Sequence, residues 1–212
     1  YWFGSQRAQQ VLMIVSGMSG LLLLAPAEII SAPGGAGRVR TLRWVAPTAL
    51  IIALGLAAFL IRTVPRIPGI LVAYGRYAAT WMGQEGDIFY VGEGLSSSVA
   101  VSRFGGTIMN YHNAGKVQAS SQPQDMRLQR MLGHLTTLLP DQTRSMVVIG
   151  CGAGVTAGSV SIDPTVEHVV IAEIEPLVPE VVSTHFAEHN FDVVRNPKVE
   201  VRIDDARHFI LT

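Results

Sequence analysis

Three carboxylates and three glycines hold the positions where an α/β chain would do its chemistry. Gly150, Gly152 and Gly154 follow directly on the short β-rich run Ser145–Ile149, in the stretch SMVVIGCGAGV. Without Cβ atoms, glycines at this spacing let the backbone turn sharply and approach a ligand closely. Glu173 stands at the end of a second apolar run, 169–174, nineteen positions after Gly154. Asp204 and Asp205 end a third run, 198–203. Ligands of open α/β sheets bind outside the carboxyl ends of the strands. A carboxylate there can accept hydrogen bonds from both hydroxyls of a ribose, which are donors; one after the third run can accept from an adenine amino group. The dinucleotide fingerprint requires a glycine at its sixth position, where this chain has Val155. Gly-x-Gly-x-Gly instead suits an adenosyl sulfonium, which carries no pyrophosphate.

The elements that must position these groups read clearly. The three runs predict parallel strands of a Rossmann-like domain over residues 123–212. Residues 123–139 place Met126, Leu128, Met131, Leu132, Leu135, Leu138 and Leu139 at near-helical spacing, and Pro140 ends the pattern. A second helix follows Glu175, with Leu177, Val178, Val181, Val182 and Phe186 on its packing side, and a third begins near Ala206. Upstream, residues 87–91, Ser98–Phe104 and 107–111 are short alternating runs, and Gly105-Gly106 signals a hairpin. They predict a small antiparallel β module within residues 76–122.

Residues 1–75 are different in kind. The whole chain is 49% hydrophobic with zero net charge, but its first 75 residues hold six arginines and a single acid, Glu28. The remainder carries the balancing excess of acids, which speaks against nucleic acid as a partner. Residues 11–30 contain one charge and residues 45–61 none. About 17–20 apolar residues cross a bilayer, so two transmembrane helices are expected, with a pair of buried core helices as the alternative. Pro26 and Glu28 fall near the end of the first segment, a position that favours the interface. Counting flanking arginines gives four against three in favour of a cytoplasmic C-terminal domain. The single Cys151 can form no internal disulfide, which fits a reducing compartment. The connector 62–82 contains Pro65, Pro68 and Gly69, and its apolar piece 67–75, too short to span, is expected at the membrane interface. The chain starts in mid-pattern without Met and reads as a piece of a longer multi-pass membrane protein.

In this order, the stretches from Asn113 to Ser120 (NAGKVQAS), Asp125-Met126, Met131 to Leu135 (MLGHL), VVIGCGAG, AEIEP and DDARHF resemble the polyamine aminopropyltransferases, the spermidine and spermine synthases. The resemblance covers roughly residues 86–212, and the hydrophobic half is similar to bacterial members fused behind membrane spans. It implies a β module followed by a Rossmann-like domain of the adenosylmethionine-dependent transferase type. It also implies transfer of the aminopropyl group of decarboxylated S-adenosylmethionine onto a small-molecule amine, leaving methylthioadenosine, in an enzyme of polyamine biosynthesis. A homodimer is a further expectation. Residue by residue, it implies Glu173 for the ribose, Asp205 beside Asp204 for the adenine, and Gly150, Gly152 and Gly154 for the loop beneath. Gln118 would end a Gly-x-x-Gln turn of the β module, and Gln129 would fall near the amine-site residue. Read from its helix alone, His134 could pack against the β module or line the amine site. The catalytic Asp is expected after a fourth strand, beyond Thr212.

Two departures qualify that picture. The glycine-loop Asp that would read the cationic aminopropyl side is Ala153, and the tyrosine before the amine-site residue is Leu128. Donor and acceptor are both cations, so their pocket should be acidic, and a general base must take the attacking amine's proton. The loss at Ala153 keeps two alternatives open: a nonenzymatic or transport-coupled membrane protein with a nucleoside module, and a methyltransferase using S-adenosylmethionine itself. His185 and His189 stand at i, i+4 without a third ligand, so no metal is expected. Asp125 could start its helix or touch substrate, and Arg127 and Arg130 read as a solvated face.

Overall fold

The computed structural model describes residues 4–24 and 39–212, with side chains for 4–20 and 51–212. The chain forms two compact units, residues 2–67 and 68–212. The first contains α1 (Ser5–Leu24) and α2 (Val39–Thr63). The side-chain amides of Gln6 and Gln10 on α1 donate to the carbonyls of Val64 and Ile61, at 2.8 and 3.1 Å, joining the start of one helix to the end of the other. Among the described residues, no helix is long and apolar enough to cross a membrane. The expected span 11–30 extends into residues outside that description, and 45–61 begins at residues described by their backbone alone.

The second unit opens with α3 (Gly69–Tyr74) and α4 (Ala78–Trp81), then a four-stranded antiparallel sheet. Its strands β1 (Asp87–Glu93), β2 (Ser98–Phe104), β3 (Ile108–Asn113) and β4 (Lys116–Ser120) pair in sequence order. Both faces of β2 are covered, so Val99, Ala100, Val101 and Ser102 are all buried. One cover is α3: Val72, Ala73 and Tyr74 pack with Ala100. The buried His112 ring bonds the Ala73 carbonyl at 2.9 Å through Nδ1 and Ser102 Oγ at 2.8 Å through Nε2. Burial pushes the His112 imidazole below its ordinary pKa, so the neutral ring donates from Nδ1 to the carbonyl and accepts at Nε2 from the hydroxyl. The segment expected at a membrane interface therefore docks on this sheet, because its three apolar residues find a partner face there.

The Rossmann-like part follows as α5 (Pro123–Leu138), β5 (Ser145–Ile149), α6 (Val155–Ser161), β6 (His168–Glu173), α7 (Leu177–His185), β7 (Val199–Ile203) and α8 (Ala206–Leu211). The three strands are parallel in the order β5-β6-β7, and β6 is buried along nearly its whole length. Pro123 suits the first turn of α5, where its missing N–H is not needed. Gly133 lets α5 cross close to α6, since a Cβ there would stand 2.6 Å from the Thr156 carbonyl. One core joins the two sheets: Val99, Val101 and Tyr111 of the β module pack with Val155, Ile171, Val182 and Phe186. Tyr111 meets Phe186 edge-on at 6.2 Å, an arrangement aromatic pairs favour.

Candidate nucleoside site

The glycine loop begins where β5 stops. Gly150, Gly152 and Gly154 all have positive φ, at 80°, 53° and 80°, which side chains with a Cβ adopt only with strain. A Cβ at Gly150 or Gly152 would meet nothing, so backbone conformation and not crowding demands glycine there, and the space beside the loop is open. Gly154 carries both constraints, because its Cβ would stand 2.8 Å from Asn190 Nδ2 and 3.0 Å from Val193. The buried Asn190 also donates to the Ala153 carbonyl at 3.0 Å, holding the loop from behind.

Glu173 closes the loop from the side. Its carboxylate, only 7% exposed, accepts from the Cys151 N–H at 2.7 Å through Oε2 and from the Glu175 N–H at 2.9 Å through Oε1. The strand-end acid is thus bonded directly to the loop. Beside it, burial and the Glu173 charge push the Cys151 thiol up to about 12. It stays protonated and is no nucleophile. Burial likewise raises the Tyr111 phenol, with Glu173, Cys151 and Glu175 adding to the effect.

The third strand end lies next to this rim, since the Asp204 N–H donates to the Glu173 carbonyl at 3.0 Å. Asp205 caps α8: its Oδ1 accepts from the Arg207 N–H at 2.9 Å and its Oδ2 pairs with the Arg207 guanidinium at 3.0 Å. Those hydrogen bonds hold its carboxyl below the ordinary range. Asp204 bonds the His208 ring at 2.8 Å, and that bond raises the imidazole pKa.

The remaining expected residues lie elsewhere. Gln118 sits on the exposed side of β4 instead of in a turn; the turn is Ala114-Gly115, both at positive φ. Gln129 donates to the Asp125 carbonyl within its own helix. His134 lines a groove of about 690 Å³ along α5 with Met126, Arg127, Arg130, Met131 and Leu135, and no carboxylate is in its lining. Asp125 accepts from Ser120 Oγ, tying α5 to β4. Arg130 is half-buried over the Phe191 ring at 5.3 Å and not fully solvated. His185 packs edge-on against Phe89 at 5.4 Å.

With the geometry established, likeness to known proteins is informative. Residues 125–212 match the family described as Spermine/spermidine synthase domain. Over those residues the α/β half is similar to the spermine/spermidine synthase family. A polyamine aminopropyltransferase of Aeropyrum pernix is 28% identical over 124 residues, covering 58% of this chain and 39% of that protein. One of Mycobacterium tuberculosis is 36% identical over 70 residues, covering 33% of this chain and 13% of its own length. The chain thus spans well under half of these relatives. Among solved structures, a spermidine synthase in complex with the transition-state analogue AdoDATO superposes with a TM-score of 0.55 at 18% identity, over 58% of this chain and 43% of that one. The spermidine synthase of Thermotoga maritima gives 0.54 at 18%, over the same shares. At these identities the superpositions establish the fold alone.

Proposed function

We propose that the protein is a membrane-tethered aminopropyltransferase that uses decarboxylated S-adenosylmethionine as donor and a small-molecule amine as acceptor. The observation that carries this reading is the Glu173 carboxylate, buried at the end of β6 and oriented by two backbone N–H groups. Each of its oxygens keeps a lone pair for a ribose hydroxyl. Asp205 stands one strand further along the rim for the adenine amino group, and the open side of the glycine loop admits the nucleoside. In the transfer, the amine lone pair forms a C–N bond to the aminopropyl carbon attached to the sulfonium. The C–S electron pair passes to sulfur, methylthioadenosine departs, and a base takes the ammonium proton. The family match and the aminopropyltransferase relatives support this reaction.

Calorimetry with methylthioadenosine on the full-length protein tests it. Charge-assisted hydrogen bonds are worth about 1.5–3 kcal/mol each, so Glu173→Ala is expected to weaken binding at least about tenfold. Unchanged affinity refutes the assignment. Ala153, which leaves the loop without an acid for a cationic side chain, favours a second reading: nucleoside binding without transfer. Methylthioadenosine binding with no methylthioadenosine release in the presence of amines would select it.

Membrane attachment rests on the first unit. Leu12, Met18, Ile51, Ile52 and Phe59 are 59–70% exposed on α1 and α2, and such a concentration of apolar surface marks a lipid or protein contact. The full-length protein is expected in the pellet after alkaline carbonate extraction. Recovery in the supernatant would make these helices part of a soluble core.

A further inference from the structure

Two residues after Glu173 stands a second carboxylate that nucleoside binding does not use. Glu175 is 1% exposed. Its Oε2 accepts from the backbone N–H of Ser96 at 2.6 Å and of Ser97 at 3.2 Å, and its Oε1 from Leu177 N–H at 3.1 Å. Ser96 and Ser97 belong to the loop that joins β1 to β2 in the β module, closed on itself by a Gly94 N–H to Ser97 carbonyl bond of 2.9 Å. The loop is made to receive this group: a Cβ at Gly94 would collide with the Glu175 carboxylate. From the other side, Ser97 Oγ bonds Asn113 on β3, whose amide donates to the Tyr111 hydroxyl at 3.1 Å. The two acids are coupled through the backbone as well, because the Glu175 N–H is the donor to Glu173 Oε1. A buried carboxylate requires such donors, and here two of the three come from a loop of the other sheet.

We propose that Glu175 is a positioning residue: it holds the β1–β2 loop of the β module against the carboxyl end of β6, so that this loop forms a wall of the nucleoside site. The inference rests on the adenosyl reading of Glu173 and adds a residue to it. Gly94 is the matching half of the device, and a side chain at that position evicts the carboxylate. Glu175→Gln retains a carbonyl that can still accept from Ser96 and Ser97, whereas Glu175→Ala removes the acceptor altogether.

The test is carried out on the full-length protein, with amide hydrogen exchange at Ser96 and Ser97 and methylthioadenosine affinity measured in parallel. Glu175→Ala and Gly94→Ala are expected to speed exchange at both amides and to weaken the nucleoside, each by about tenfold. Glu175→Gln is expected to restore most of both. Glu173→Ala is expected to lose the nucleoside while leaving Ser96 and Ser97 protected, which separates the two carboxylates. Unchanged exchange in Glu175→Ala overturns the inference whatever the ligand does. Faster exchange with unchanged affinity also overturns it, reducing the contact to a structural one. If the wild-type protein binds no methylthioadenosine, the adenosyl reading fails, and exchange still decides whether Glu175 holds the loop.

Discussion

The two acidic strand ends of the parallel sheet differ in where their hydrogen-bond donors come from. At the end of β6, Glu173 and Glu175 are buried and bonded to backbone N–H groups of the glycine loop and of the β module. At the end of β7, Asp204 and Asp205 are half-buried and bonded to side chains and backbone of the helix that follows at once. A ligand meets Glu173 already oriented, with Glu175 holding the wall beside it, so that little reorganisation is needed on binding. At the second it must displace or share Arg207, in water that screens the exchange. Binding free energy should therefore concentrate at β6, with β7 adding selectivity.

Breaking the ordered side of that contrast gives the largest effect. Gly154→Ala forces a Cβ into a left-handed conformation and towards Asn190. A cost of about 1–2 kcal/mol should lower the melting temperature by roughly 2–8 °C and weaken methylthioadenosine binding. An unchanged melting curve would mean that the loop relaxes freely. Asp205→Asn should be milder, about two- to fivefold in affinity, and should narrow the preference for adenosine over inosine derivatives. A loss equal to that of Glu173→Ala would erase the distinction between the two rims.

The smallest effect is a titration. The Asp204 hydrogen bond raises the His208 imidazole pKa. This contribution to stability is complete below the unfolded histidine pKa and disappears as pH rises through the raised folded value. Proton NMR should find His208 titrating above the ordinary histidine value, and Asp204→Asn should return it there. An ordinary value in the wild type would show that the pair is not formed.

Local chemistry made much of this legible in the sequence. The glycine loop is demanded by backbone conformation within a few residues, and Ser145–Ile149 and Ser98–Phe104 have the same bounds as strands that they have as apolar runs. What escaped depends on distant partners. Lys116–Ser120 has too little apolar alternation to read as β4 and is a strand because β3 offers it an edge. The 67–75 segment looked interfacial because its covering sheet is invisible in its own residues. The loop contact of Glu175 cannot be read from AEIEP, because its partners lie 78 and 79 positions upstream. Only Gly94, a glycine without a turn signature, hints at the carboxylate it accommodates.

That separation sets a timetable for synthesis. At about 5–20 residues per second, the ribosome delivers Glu175 roughly 4–16 s after Ser96. Until then the loop's two amides have only water as acceptor, and the inner face of the β module waits for Val182 and Phe186. The hairpins can form early from neighbouring strands, but their closing contact is postponed until β6 has been made. A pause or truncation in that interval would leave a finished sheet with one uncovered face, the species most open to chaperone capture during the protein's birth.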